Sequence, residues 1–284
     1  MTPDVTIVVI AYNDADNLPA SMRSALGQTH RDIQVVVVDD GSTDGTAQVA
    51  DGFAATDPRV EVVHLAVNSG RCGRPRNVGL DRAQAPYVTL LDSDDLLTPT
   101  ACAALLSTAR ATGADVVVGR CTMHNIETGR ERIWAEELFA HSDVVSGVTA
   151  RPELLDDTIA PSKLYRTAFL DEHNLRFVED ILYEDIVFTT EVYCLARTIA
   201  VDPSDVYCYR RHDRPSHRPS ITRRRHEIAN FRDRLEAHRR VDAFLAAQPS
   251  SELRIFKQRW DALAVGQSLT VSWPPEAPVR RGRR

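Results

Sequence analysis

The sequence predicts an α/β fold with a mostly parallel, Rossmann-like sheet that carries helices on both faces. Within the first 120 residues, short runs rich in valine and isoleucine alternate with segments whose apolar residues recur at helical spacing. Parallel strands joined by crossover helices produce this alternation. The predicted strands are 5–11, 35–39, 60–65, 88–92 and 115–119, and the predicted helices are 15–27, 43–55, 74–85 and 99–112.

The pattern becomes less regular after Gly119. Residues 121–160 are polar and mixed, which indicates loops and an antiparallel excursion. Further on, helices are predicted at 163–174 and 184–196, strand segments at 199–201 and 206–210, and two C-terminal helices at 227–247 and 253–263. These changes divide the chain into parts 1–120, 121–225 and 226–272, followed by a tail rich in Pro and Arg, 273–284, that is expected to be disordered.

The composition is that of an ordinary globular chain. A length of 284 residues with 43% hydrophobic content is enough to bury a large core. No apolar run approaches the roughly 20 residues of a membrane span, and Met1 to Asp4 do not begin a signal sequence. We therefore expect a cytoplasmic protein. The five cysteines are dispersed without C-x-x-C spacing, which predicts neither a zinc site nor a disulfide framework.

Basic charge is concentrated late in the chain. Residues 210–240 contain eleven arginines and four acidic residues, a balance of +7 within a total of −6, so the remainder carries −13. Such a cluster fits phosphate contacts, an anionic polymer or the inner face of a membrane. A nucleic-acid partner is not expected, because the remainder would repel a polyanion and the chain has no nucleic-acid-binding motif.

Acidic side chains follow the fourth predicted strand directly, in the tetrad Asp92-Ser93-Asp94-Asp95. Carboxylates this close repel one another, and an Mg²⁺ or Mn²⁺ ion shared with substrate phosphates relieves the repulsion. The first two predicted strands also end in polar residues. In parallel sheets, ligands bind at the carboxyl ends of the strands, which is where these polar residues lie. The alternative is a helix that starts at Thr98 and Pro99, whose dipole the acidic residues, Asp95 above all, would complement.

Five motifs occur together along the chain, at 5–13, 38–46, 68–70 with 76–79, 91–95 and 183–188. In their order and spacing the chain resembles the family 2 glycosyltransferases, which are inverting enzymes of the GT-A fold. The stretch 209–222 resembles bacterial members that act on cell-envelope polymers. The resemblance implies that 1–120 is the nucleotide-sugar-binding part of a GT-A domain, that 121–225 is its acceptor-binding and catalytic-base part, and that 226–272 adds C-terminal helices.

The resemblance also implies a donor site for a UDP-sugar. Tyr12 would stack on the base, Asp40 would hydrogen-bond the uracil, and Arg76 would reach the base or the phosphates. A later loop containing His212 could close over the diphosphate. The implied donor-site residues are Ala11, Tyr12, Asn13, Asp40, Arg76, Asp92, Ser93, Arg211, His217 and Ser220.

The same resemblance implies a metal-dependent reaction. Asp94 would ligate Mn²⁺ or Mg²⁺, and Asp92 would approach the ribose or the same ion. Asp185 would be the catalytic base that takes the proton of an acceptor hydroxyl. Glu184 and Asp185 also fit a simpler role, because acidic residues at the start of a helix complement its dipole.

Two departures from related enzymes limit the reaction. Gln258-Arg259-Trp260 has the wrong spacing for the Gln-x-x-Arg-Trp signature of processive synthases, so we expect one sugar transferred per encounter. A sugar-nucleotidyltransferase would carry a glycine-rich loop after the first strand, and residues 11–14 contain no glycine. An inactive UDP-sugar-binding scaffold remains the other alternative. The apolar stripes of the C-terminal helices fit either an internal core or an oligomer interface.

Overall fold

The computed structural model describes residues 2–211 and 227–248. Its first half alternates strands and helices as the sequence predicts. The elements there are β1 (Val5–Ala11), α1 (Leu18–Leu26), β2 (Ile33–Asp39), α2 (Thr46–Thr56), β3 (Val60–His64), α3 (Gly73–Asp81), β4 (Tyr87–Asp92), β5 (Leu96–Leu97), α4 (Ala101–Thr112) and β6 (Val116–Asn125).

The second half completes the same sheet and adds helices at its edge. Three short 3₁₀ helices lie between residues 136 and 156. The remaining elements are β7 (Glu131–Ile133), β8 (Asp143–Val145), β9 (Lys163–Arg166), α5 (Thr167–Glu172), α6 (Glu184–Leu195), β10 (Ile199–Arg211) and α7 (Ile228–Ala247). In the part of the chain that the structure describes, no helix is both long and apolar enough to span a bilayer.

All ten described strands belong to one sheet, whose main path runs β3-β2-β1-β4-β9-β6-β10-β5. β1 is parallel to β2 and β4, and β2 is parallel to β3. β9 is antiparallel to both β4 and β6, while β6 and β10 are parallel to each other. The predicted mostly parallel α/β architecture is therefore confirmed, with antiparallel β9 inserted near its middle. The short strands β5 and β8 pair antiparallel with β10, and β7 pairs antiparallel with β6.

The central strands are buried on both faces. Every residue of β1 and β2 is buried, which is why their sequences are nearly continuous apolar runs. Successive β1 residues point to opposite faces: Ile7 and Val9 pack in one apolar cluster, Val8 and Ile10 in another. The first cluster also contains Met22 of α1, so helices cover that face, and the second is covered by residues of α3, α5 and α6.

Two helix predictions in the sheet region are wrong in part. The predicted helix 163–174 is strand β9 over Lys163–Arg166 and a helix only over Thr167–Glu172. Pairing with β4 on one side and β6 on the other outweighs local helix preference in that segment. The predicted helix start at Pro99 is also wrong, because α4 begins two residues later, at Ala101, after the short strand β5, which pairs with β10.

The later predictions are confirmed where the structure describes them. The segments at 199–201 and 206–210 form one strand, β10, whose register against β6 shifts twice between Asp202 and Tyr207. The predicted helices 184–196 and 227–247 correspond to α6 and α7. The predicted helix 253–263 and the tail 273–284 lie outside the described residues.

Gly79 allows α3 to lie against β1, and we expect its substitution to destabilise the fold. A Cβ atom there would lie 2.1 Å from Cγ1 of Val8, a side chain buried in the sheet. We expect Gly79→Ala to lower the free energy of unfolding by about 1–3 kcal/mol through overpacking. Gly52 of α2 is the matched control, because a Cβ there meets nothing within 4 Å, and Gly52→Ala should stabilise by about 0.5–1 kcal/mol. Urea unfolding measures both, and equal stability of the two variants would contradict this packing.

Candidate active site

The carboxyl ends of the first three central strands meet at one rim of the sheet. In the β1 register, Ala11 lies beside Asp39 of β2 and Ile10 lies beside Asp92 of β4. Backbone hydrogen bonds continue past the strands, from Asp40 N–H to the Ala11 carbonyl and from Ser93 N–H to the Ile10 carbonyl, at 2.8 and 3.1 Å. The structure therefore brings together the three polar strand ends that the sequence places far apart.

The turn after β1 is fastened to its two neighbours. Asn13 has a left-handed backbone (φ 48°), its N–H donates to Ser42 Oγ at 2.9 Å, and its side-chain oxygen accepts the Thr43 N–H at 2.7 Å. On the other side, Ser93 Oγ donates to Asp14 Oδ2 at 2.6 Å. Tyr12 lies half-buried between these fixed residues. This turn is a rigid element of the rim.

Asp40 holds the loop that follows β3. It is buried, and its carboxylate accepts hydrogen bonds from Asn68 Nδ2 at 2.9 Å, from the Ser69 N–H at 3.0 Å and from Ser69 Oγ at 2.8 Å. Burial raises the pKa of Asp40, although the bonds from Ser69 oppose that shift. The 68–71 loop is thus fixed beside the strand end where the base of a nucleotide was predicted.

Arg76 lies among three carboxylates rather than in an open cleft. It is 3% exposed, and its Nη2 donates to both Asp92 oxygens at 3.0 and 3.2 Å. Its Nη1 donates to Glu184 Oε1 at 2.8 Å and to Asp185 Oδ1. The guanidinium therefore links the end of β4 to the first turn of α6. Both of its terminal nitrogens face protein carboxylates, while Nε has no hydrogen-bond partner among the described residues, and the contact of Arg76 with base or phosphates stays a prediction.

Sequence reasoning missed Glu184 as a member of this cluster. Glu184 is buried beside Asp185, and both carboxylates face Arg76 from the start of α6. Its place next to Asp185 in the 183–188 motif was the available signal. Because one guanidinium faces three carboxylates, the group carries excess negative charge when all are ionised.

Asp185 has the surroundings of an accessible base. Its side chain is 23% exposed, and its Oδ2 accepts the Ala160 N–H at 3.2 Å while Oδ1 faces Arg76. Burial raises the pKa of Asp185, the positive charge of Arg76 opposes this, and the charge of Asp92 adds to it. A carboxylate that is held at both oxygens yet reaches solvent can accept a proton in one defined orientation.

The two acidic residues after Ser93 differ in their surroundings. Asp95 is buried and accepts hydrogen bonds from Tyr207 Oη at 2.8 Å and from the Arg210 N–H at 2.7 Å, so it fastens β10 to the rim. The predicted helix-dipole role of Asp95 is wrong, because no helix begins there. Asp94 is exposed to solvent at the same rim. Although its side chain reaches solvent, the loss of solvation by surrounding protein atoms raises the pKa of Asp94 to about 7. The negative charges of Asp92 and Asp14 add to this shift.

These carboxylates fit a divalent cation. After burial, the charges of Asp92 and Asp14 add to the raised pKa of Asp94, and a bound cation would offset that repulsion. Hard cations also prefer carboxylate oxygens. Asp94 and Asp92 would supply protein ligands, and diphosphate and water oxygens would complete the coordination. Within residues 2–211 and 227–248, the one group of three acidic or histidine side chains close enough to share a metal ion is Asp4, His30 and Asp32, which precede β1 and β2 at the end of the strands away from the rim.

The predicted lid residues are only partly described. Arg211 is the exposed last residue of β10, next to Arg210, whose Nε donates to the Asp94 carbonyl. His212, His217 and Ser220 lie outside the described residues.

The buried carboxyl of Glu184 makes stability depend on pH. Burial, then the charge of Asp185, raises the pKa of Glu184 above its ordinary value of 4.5, and Arg76 opposes the shift. The folded protein therefore keeps this proton to higher pH than the unfolded chain does. The stabilising contribution is full below pH 4.5 and is lost as pH rises through the folded-state pKa.

We accordingly expect the free energy of unfolding to fall over that pH window, and to fall less steeply in Glu184→Gln. Urea titrations at a series of pH values measure the slopes. The exposed Glu137 provides the control, and Glu137→Gln should follow the wild-type slope. Identical slopes for wild type and Glu184→Gln would show that Glu184 does not titrate in this way.

Comparison with solved structures places this geometry in a known fold. The structure superposes on S. aureus TarS in complex with UDP-GlcNAc with a TM-score of 0.73 and 24% identity, over 93% of this chain and 71% of that one. It also superposes on the mannosyltransferase PcManGT from Pyrobaculum calidifontis, in complex with GDP-Man and Mn²⁺, with a TM-score of 0.58 and 19% identity, over 93% and 81% of the two chains. The predicted GT-A-like fold is confirmed.

Sequence comparison extends the likeness to the family. The succinoglycan biosynthesis protein ExoO of Rhizobium meliloti (strain 1021) is 33% identical over 215 residues, which are 73% of this chain and 60% of that protein. The profile described as Glycosyl transferase family 2 matches residues 6–173, more than half of the chain. With the sheet and the acidic rim described above, this match shows that the chain belongs to glycosyl transferase family 2.

Proposed function

We propose that this chain transfers one sugar from a UDP-sugar to a hydroxyl group of an acceptor, with inversion at the anomeric carbon. The observation that carries the proposal is the placement of Asp185 at a rim that also presents Asp94. Arg76 connects these two parts of the rim through its bonds to Asp185 and Asp92. One site thus offers a base for the acceptor and a cation ligand for the departing diphosphate.

In the proposed reaction, Asp185 takes the proton of the acceptor hydroxyl as the oxygen attacks the anomeric carbon. The bond from that carbon to the β-phosphate oxygen breaks at the same time, so the electron pair leaves with UDP. Attack from the opposite face inverts the anomeric configuration, and no covalent sugar–enzyme intermediate forms. Arg76 and the Ala160 N–H keep the Asp185 carboxylate aimed during proton transfer.

Mn²⁺ or Mg²⁺, held by Asp94 with Asp92, would supply stabilisation of the negative charge on the departing diphosphate. The rigid turn at Tyr12 and Asn13, with Asp40 and the 68–71 loop, would hold the uridine. The complex of TarS with UDP-GlcNAc supports a UDP-sugar, and the complex of PcManGT with Mn²⁺ supports the cation. We carry both to this chain as proposals.

The acceptor we propose is a cell-envelope polymer, a lipid-linked intermediate or a natural product. The similarity to ExoO, a succinoglycan biosynthesis protein, and to a poly(ribitol-phosphate) β-glucosyltransferase of Bacillus spizizenii supports the first of these. The arginine-rich region 210–240 suits contact with an anionic polymer or the inner face of a membrane, which agrees with a cytoplasmic enzyme. Because one carboxylate suffices as base, these acceptor classes require the same chemistry at Asp185.

Release of UDP from a panel of donors tests the proposal. UDP-GlcNAc, UDP-glucose and GDP-mannose are incubated with the protein and Mn²⁺, and slow hydrolysis is followed. We expect UDP release from at least one UDP-sugar and little GDP release. Incubation with UTP and a sugar 1-phosphate tests the nucleotidyltransferase alternative. Pyrophosphate release there, without UDP release from any UDP-sugar, would contradict the proposed function.

A further inference from the structure

The turn that leads into Asp185 has a strained backbone. Tyr183, the residue before α6, has a left-handed conformation with φ of 66°. A bulky side chain there costs on the order of 1–3 kcal/mol, and such a residue persists only where its surroundings fix it. Since Glu184 and Asp185 follow directly, whatever fixes Tyr183 also determines where the Asp185 carboxylate points.

Helix α7 fixes this turn through two side chains one helical turn apart. Tyr183 Oη donates to Oδ1 of Asn230, which is 1% exposed, and the Leu182 N–H donates to Asp233 Oδ2 at 3.0 Å. Residues at i and i+3 lie on the same helix face, so Asn230 and Asp233 contact the turn together. One holds the strained residue by its side chain, and the other holds the backbone beside it.

Further contacts keep α7 in place. Arg240 forms a two-pronged ion pair with Asp180, with distances of 2.8 and 2.7 Å. Apolar side chains on both sides of the turn and on α7 form one buried cluster. Its buried members are Ile181, Ile186, Val187, Ala237, Val241 and Leu245.

Asp233 also contacts the loop on the donor side of the rim. Its Oδ2 lies 3.0 Å from Arg71 Nη2, and the Asp233 side chain is 18% exposed. Arg71 follows Ser69, whose N–H and hydroxyl both donate to Asp40. A single carboxylate oxygen therefore joins the 68–71 loop to the turn at Leu182.

We propose that Asn230 and Asp233 are positioning residues that hold the strained 181–185 turn, and that Asp233 couples this turn to the 68–71 loop. Occupation of the donor site, which that loop borders, then favours the productive orientation of the Asp185 carboxylate through Asp233. The inference rests on the proposed function for the role of Asp185. The observation behind it is that helix α7 contacts both the 181–185 turn and the 68–71 loop, which border the same site.

Three variants separate positioning from simple loss of structure. Asp233→Ala removes both contacts, whereas Asp233→Asn keeps an oxygen that can accept the Leu182 N–H. We expect Asp233→Ala to lower kcat about tenfold or more, as a misplaced catalytic group does, and Asp233→Asn to recover most of that loss. Arg239→Ala is the control, because Arg239 lies on the same helix with a side chain 74% exposed, and it should keep wild-type kcat.

Amide hydrogen exchange reads the coupling without any sugar transfer. Without ligand, the Leu182 amide should exchange faster in Asp233→Ala than in wild type. With UDP and Mn²⁺ added, exchange over 180–187 should slow in wild type, and Asp233→Ala should lose that slowing while 68–71 is still protected. Unchanged exchange in Asp233→Ala would overturn the proposal. A fall in kcat accompanied by a similar fold-loss of UDP affinity and by a lower melting temperature would also overturn it.

The two failures are distinguishable. If wild type neither binds UDP nor hydrolyses a UDP-sugar, the proposed function fails. The ligand-free exchange of the Leu182 amide still decides whether α7 holds the turn.

Discussion

Replacing Asp185 with asparagine is expected to lower kcat by about 10²–10⁴-fold, the usual contribution of a positioned general base. Asparagine keeps one oxygen that can accept from Arg76, but its amide nitrogen cannot accept the Ala160 N–H, so one of the two bonds that orient the side chain is retained. It cannot take a proton from the acceptor hydroxyl, so the loss should fall on kcat. Steady-state kinetics with the active UDP-sugar measures kcat, and titration of UDP measures the affinity of the donor site, which should be unchanged.

Glu191 offers the matched control for this substitution. It lies on α6 with Asp185, further from the rim, and its carboxyl group is half-buried. Glu191→Gln also replaces a carboxyl group whose pKa burial raises, to about 7, by an amide on the same helix, yet it should retain wild-type kcat. If Asp185→Asn turned over at the rate of Glu191→Gln, Asp185 would not be the base.

Replacing Arg76 with methionine is expected to cause the largest loss of stability. Three carboxylates would remain at the centre of the rim without the guanidinium that they share. Removing one partner of a buried ion pair costs about 3–5 kcal/mol. Urea unfolding at neutral pH measures the loss. Adding Glu184→Gln to Arg76→Met should recover part of it, because one of the unpaired charges is then absent.

The control for Arg76 is Arg82, at the end of the same helix. Its side chain is 54% exposed and pairs with Glu61 at 2.8 Å. Surface pairs of this kind contribute about 0–1 kcal/mol, so Arg82→Met should be nearly neutral. Equal destabilisation by Arg76→Met and Arg82→Met would contradict the central role given to the buried cluster.

The strand ends of the rim could be predicted from the sequence because their signals are local. An apolar β-branched run followed by Asp, Asn or Ser marks a buried strand and the polar turn after it, as at Asp39 and Asp92. Parallel pairing then brings such ends together at one edge. The regular alternation of strands and helices through residue 119 made the fold class predictable in the same way.

The partners of Arg76 and Asp95 could not be predicted in this way. Arg76 meets Glu184 across 108 residues and Asp95 meets Tyr207 across 112, and nothing near either residue specifies those contacts. Lys163–Arg166 was misassigned for a related reason. Its strand conformation depends on pairing with two flanking strands, β4 and β6, and the local residue preferences of 163–166 do not reveal that pairing.

Titration calorimetry of UDP with and without Mn²⁺, on wild type and Asp94→Ala, tests the central claim most directly. If Asp94 holds a cation that grips the diphosphate, Mn²⁺ should strengthen UDP binding to wild type, and Asp94→Ala should lose that gain while keeping the metal-free affinity. UDP binding that is indifferent to Mn²⁺, or a Mn²⁺ effect that survives in Asp94→Ala, would contradict the proposed metal-dependent transfer from a UDP-sugar.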